Sequence, residues 1–75
     1  MVDTKLLKRT IAWKGLTQID IAKKMGMTTA TLSKKINNKA DFFNKEIMEI
    51  SKMLELDNLD IIAIFMNQGG YYVRA

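Results

Sequence analysis

The feature that most restricts how this chain can fold is the regular spacing of its punctuation. Proline is absent, so glycine, threonine, asparagine and aspartate mark every turn, and the stretches between the marks are all of helix length. Asp3 to Lys14 sets Leu6, Leu7 and Ile11 at helical spacing among charged residues and stops at Gly15, a residue suited to a left-handed cap. Thr17-Gln18-Ile19-Asp20 then places a carboxylate three residues after a threonine, a pair that can satisfy the free N–H groups of a helix start reciprocally. Ile21, Ala22 and Met25 supply the inner stripe of this short second helix, which ends at Gly26. Met27 is the apolar residue that closes such a cap, and Thr28 is an N-cap for a third helix ending near Asn37-Asn38. A fourth helix starts near Asn44 and turns Ile47, Ile50 and Leu54 inward, with Met48 and Met53 as adaptable packing. A fifth opens at Asp57 and carries Leu59, Ile61, Ile62 and Phe65.

Five short helices with no convincing strand, repeat or linker predict an all-α fold. The 75 residues form one small domain whose core must come from well-matched short elements rather than from area. The expected division is a helical domain over 1–66 and a tail over 67–75, where two glycines precede Tyr71, Tyr72 and Val73. That tail reads as a frayed end, an added strand or flap, or a dimer contact.

Composition excludes several kinds of chemistry. The chain has no cysteine, which removes disulfides and thiolate metal sites. It has no histidine, which removes the commonest general base and zinc ligand. No nucleophile, base and metal set clusters in what remains, so no catalytic residue, metal or cofactor is expected. No apolar run approaches membrane-spanning length, and the start MVDTKLLKR lacks the apolar core of a signal peptide. A cytoplasmic protein without membrane contact is the expectation.

Charge separates the two halves. Residues 1–40 carry nine Lys or Arg against Asp3 and Asp20, a net +7, whereas residues 41–75 carry three basic and six acidic groups, a net −3. A basic half suits a negatively charged partner, although a lysine-rich solvated surface has the same composition.

The third helix resolves this ambiguity. In MGMTTATLSKKINNK, Met25 to Lys39, its only apolar residues are Ala30, Leu32 and Ile36. Two helices joined by a short turn containing glycine, the second polar and basic, form a helix-turn-helix arrangement. Gln18, Ala22, Gly26 and Leu32 fit QxxxAxxxGxxxxxL. There the alanine permits close crossing, the glycine permits the turn and the leucine locks the second helix onto the first. With Leu32 and Ile36 held inside, the outer side of the helix is free to enter a major groove.

GLTQIDIAKKMGMTTATLSKKINNK, followed by IMEISKMLEL and DNLDIIAIF, resembles the Xre-type family of phage repressor and Cro-like regulators over roughly residues 5–65. The resemblance implies a five-helix, lambda-repressor-like domain that binds a double-stranded DNA operator and regulates transcription. It places Thr28, Thr29, Ala30, Ser33 and Lys34 at base-reading positions. Lysine donates to guanine O6 or N7, and the threonine methyls and Ala30 suit a thymine methyl. It also sets Gln18 against a phosphate at the start of the second helix. Thr17, Thr31, Lys35, Asn37, Asn38 and Lys39 are further phosphate candidates. Thr17 and Thr28 are expected to cap helices in any case, Lys23 and Lys24 to be solvated, and Trp13 to sit at the core edge. The chain departs from the family pattern at Asn38, where glycine is usual, and at Phe42-Phe43 before the fourth helix.

A helix-turn-helix unit normally reads two half-sites as a two-fold pair, so a homodimer is expected. Its candidate contacts are Ile61, Ile64 and Phe65 of the fifth helix with Tyr71, Tyr72 and Val73 of the tail. The competing expectation is an antirepressor-type module that binds a partner repressor protein through the apolar, acidic second half. Such a module would not need Thr28, Thr29 or Lys34.

Overall fold

The computed structural model describes residues 1–66. These form five helices: α1 Thr4–Trp13, α2 Gln18–Met25, α3 Thr29–Ile36, α4 Asn44–Met53 and α5 Asn58–Phe65. There is no strand among the described residues. Among these residues, no helix is long and apolar enough to cross a membrane.

Helix starts follow the local sequence. The Asp3 carboxylate accepts from the Leu6 N–H at 3.0 Å, and Thr28 accepts from the Thr31 N–H at 3.1 Å. Thr17 with Asp20 and Asp57 with Asp60 form reciprocal capping boxes. At α4, which lacks a capping side chain, Glu46 reaches back to accept the Phe43 N–H at 2.9 Å.

The first four helices also end alike. In each case one residue in the left-handed region lets the next N–H reach the carbonyl five residues back. The bonds are Leu16 to Ile11, Met27 to Ala22, Lys39 to Lys34 and Leu56 to Ser51, at 2.8–3.1 Å. The left-handed residues are Gly15, Gly26, Asn38 and Glu55, with φ of 74°, 70°, 63° and 55°. Asn38 thus takes after α3 the left-handed backbone that glycine takes after α1 and α2.

The core takes a matched contribution from each helix: Leu7 and Ile11, Ile21 and Ala22, Leu32 and Ile36, Ile50 and the capping Leu54, Ile64 and Phe65. Burying each of the larger side chains contributes about 1.5–3 kcal/mol. α2 packs on α3 and α4, while α1 packs on α3 and α5. Phe42 meets Phe65 edge-on, with centroids 5.5 Å apart. The Asp3 N–H donates to the Ile64 carbonyl at 2.7 Å and fastens the first residues to α5.

Two packing expectations need correction. Trp13, expected at the core edge, is 84% exposed, since Leu7 and Ile11 already occupy the inward side of α1. Met48, expected to pack, is exposed, because Ile50 and Leu54 fill the inward side of α4. Leu59 and Ile62 of α5 are exposed as well, and only Ile64 and Phe65 of that helix are buried.

Candidate nucleic-acid interface

α3 is fixed from inside by Leu32 and Ile36, both without solvent exposure. One turn apart, they fix its rotation, and the opposite side faces water. Thr28, Thr29, Ala30, Thr31 and Lys34 are exposed there and Ser33 is half-buried. Four of the five base-reading candidates, Thr28, Thr29, Ala30 and Lys34, are therefore exposed on one short helix and its cap, and Ser33 is only partly so. Thr28 is already in use as the cap, and its hydroxyl also donates to the Thr31 Oγ1 at 3.0 Å. Among the described residues, no side-chain hydrogen bond engages Thr29 and no acidic group pairs with Lys34.

The phosphate candidates divide. Gln18 is half-buried at the first position of α2, and Thr31 and Lys39 are exposed. Asn37 is exposed but uses its amide to donate to the Ser33 carbonyl at 2.9 Å. The Thr17 hydroxyl is committed within its capping box, donating to Asp20 Oδ2 at 2.9 Å while accepting the Asp20 N–H at 3.1 Å. It therefore has no proton left to offer a phosphate. These bonds, first that from the Thr17 backbone N–H and then that from its hydroxyl, hold the Asp20 carboxyl below its ordinary pKa.

Two candidates are used elsewhere in the fold. Lys35 is only 7% exposed. Its ammonium donates to Glu46 Oε1 at 2.6 Å and lies 4.5 Å from the centroid of the Phe43 ring, so it joins α3 to α4 instead of meeting a phosphate. Burial alone would raise the pKa of Glu46. The Lys35 ammonium and the Phe43 N–H outweigh that and hold it below the usual carboxylate range. The Asn38 amide is likewise engaged. Its Oδ1 accepts the Val2 N–H at 2.7 Å, and its Nδ2 donates to the Val2 carbonyl at 2.9 Å.

The residues expected at a dimer contact are not left free on α5. Ile64 and Phe65 lie inside the monomer core, and Ile61 is half-buried against it. Tyr71, Tyr72 and Val73 lie outside the described residues. Leu59, Ile62, Ala63 and Met66 form an exposed apolar stripe at helical spacing, with Leu59 77% exposed. The composition of α5 signals more apolar surface than one inward face needs, but because the helix is apolar almost throughout, periodicity cannot identify which residues face outward.

Among the described residues, no three acidic side chains stand close enough to hold a metal ion. The chain belongs to the family described as "Protein of unknown function (DUF739)", whose model matches residues 1–68. No curated protein sequence matches it.

Proposed function

We propose that this DUF739-family chain is a sequence-specific regulator of repressor or Cro type that binds duplex DNA, with α2 and α3 acting as a helix-turn-helix in a lambda-repressor-like domain. One observation carries the reading: α3 buries only the inner side it needs for anchoring and presents Thr29, Ala30 and Lys34 outward. On this reading Lys34 donates to guanine in the major groove, Ala30 and the Thr29 methyl meet thymine methyls, and Gln18, Thr31 and Lys39 contact the backbone. Two copies read two half-sites and join through Leu59, Ile62 and Met66 of α5. The same exposed stripe favours a second reading, an antirepressor that offers it to a partner repressor.

The deciding measurement is a titration of random-sequence duplex across a range of salt concentrations. Lys39 from each of two subunits would release counterions from two phosphates, giving a log–log slope of about −1.8. Absence of binding at low salt would reject the DNA reading in favour of the antirepressor.

A further inference from the structure

Asn38 and Thr4 belong to different ends of the domain, yet they meet at the end of α3. The Asn38 amide takes both the N–H and the carbonyl of Val2, as a neighbouring backbone would. Thr4 donates its hydroxyl proton to the Ile36 carbonyl at 2.6 Å, satisfying an acceptor that the helix end leaves free. Its Oγ1 also lies 3.4 Å from Asn38 Nδ2. On the other side of the loop, the Lys39 and Ala40 N–H groups both donate to the Lys34 carbonyl. Residues 37–40 are therefore held between the last turn of α3 and the segment Val2–Thr4, and that segment is itself fastened to α5 through Asp3.

Chain reversal alone does not require the asparagine. At a φ of 63° glycine would serve with less strain, so the amide supplies something glycine cannot. We propose that Asn38 and Thr4 are positioning residues that hold the loop after α3, and with it Lys39, in the register that meets the DNA backbone. Neither touches DNA. The proposal rests on the DNA-binding reading above and adds Val2–Thr4 to the parts of the molecule on which affinity depends. Thr4 is the informative member, because its hydroxyl is directed into the fold toward Ile36 and it can influence DNA only through the loop.

The test compares the full chain with Thr4→Val, Thr4→Ser, Asn38→Gly and the double variant Thr4→Val with Asn38→Gly. Binding to random-sequence duplex is measured well below each thermal midpoint, alongside amide hydrogen exchange at Lys39 and Ala40. Thr4→Val and Asn38→Gly should each weaken binding about tenfold, the equivalent of one lost hydrogen bond. Both should speed exchange at the two loop amides while leaving the helical signal intact. Thr4→Ser, which keeps the hydroxyl, should bind like wild type, and the double variant should bind no worse than the weaker single one. Wild-type affinity in Thr4→Val overturns the proposal. A loss in Asn38→Gly alone would mean that its amide meets DNA directly. If Asn38→Gly fails to fold, the Thr4→Val and Thr4→Ser pair still decides. If wild type itself binds no duplex, the DNA reading fails and this proposal with it, whereas wild-type binding that is indifferent to Thr4 overturns this proposal alone.

Discussion

α3 and α5 are built to the same inner specification and the opposite outer one. Each has eight residues and two apolar side chains buried in the common core: Leu32 and Ile36 in α3, Ile64 and Phe65 in α5. Outward, α3 shows Thr29, Ala30, Thr31 and Lys34, while α5 shows Leu59, Ile62 and Ala63. Because the core is satisfied equally by both helices, the outer chemistry is not a product of folding. A polar, hydrogen-bonding face suits a hydrated polyanion whose base edges must be read, whereas an apolar stripe of uncharged residues suits a surface that is dry when covered.

Within α3 the contrast narrows to two adjacent lysines, Lys34 outside and Lys35 inside. The largest expected effect comes from stranding the inner one. Glu46→Ala leaves a nearly buried ammonium without its carboxylate and should cost about 3 kcal/mol of stability, the lower end of the range for a broken buried pair because the Glu46 side chain keeps 15% exposure. Lys35→Met keeps the stem but strands the Glu46 carboxylate, which retains the Phe43 N–H and its own partial exposure, so it should cost less. A pH series adds a sign. Because the folded pKa of Glu46 lies below its ordinary value of 4.5, its contribution is complete above that value and is lost as pH falls through the folded one. Chemical denaturation of the two variants, with wild type followed from neutral pH into acid, measures both effects. A loss below about 1 kcal/mol for Glu46→Ala would show that Lys35 is effectively solvated and not distinct from its neighbour.

The outer lysine is tested on DNA. Lys34→Ala should reduce discrimination between a selected operator and random duplex by about 1–3 kcal/mol, whereas Lys39→Ala should weaken both alike and make the salt slope shallower. Competition binding of the two variants on both duplexes separates a reading residue from a positioning one. If the two lysines behave identically, Lys34 is a phosphate contact.

α5 supplies the converse test. Ile62→Lys adds charge to the exposed stripe without touching Ile64 or Phe65. It should leave the helical signal intact and weaken self-association in sedimentation by about 1.5 kcal/mol, roughly what a moderately buried aliphatic contact contributes. Unchanged association would place the joining surface away from Leu59, Ile62 and Met66.

How far these features could be read from sequence depended on the alternatives each residue had. Thr17, Thr28 and Asp57 were legible as caps because a short polar side chain before an apolar-periodic segment has few other uses. Leu32 and Ile36 were legible because α3 has so few apolar residues to choose from. Lys35 was not, since a lysine beside an outward lysine carries no mark of the glutamate eleven residues later that receives it. On α5 the difficulty was reversed: too many apolar residues hid which of them faced inward, and Ile64 and Phe65 were assigned to a dimer when the monomer needed them. Phe42 and Phe43 gain their reasons only from the fold, one packing on Phe65 and the other covering the Lys35 ammonium.

The smallest expected effect concerns the ends of the helices, where the two halves differ once more. α1, α2 and α3 turn on Gly15, Gly26 and Asn38, residues that tolerate left-handed backbone, but α4 turns on Glu55 at a φ of 55°. Its side chain returns little for that strain. It pairs with Lys14 at 3.2 Å, but with the Glu55 side chain 79% exposed the pair is screened by water and contributes almost nothing to stability. Glu55→Gly should therefore stabilise the domain by about 0.5–1 kcal/mol, the relief of left-handed strain less the extra freedom glycine brings to the unfolded chain. Thermal denaturation against wild type and Lys14→Ala measures it. Lys14→Ala should be neutral, isolating the backbone as the source of the gain, whereas destabilisation by both substitutions would show that the ion pair holds α1 to the end of α4 and that Glu55 is kept for its charge.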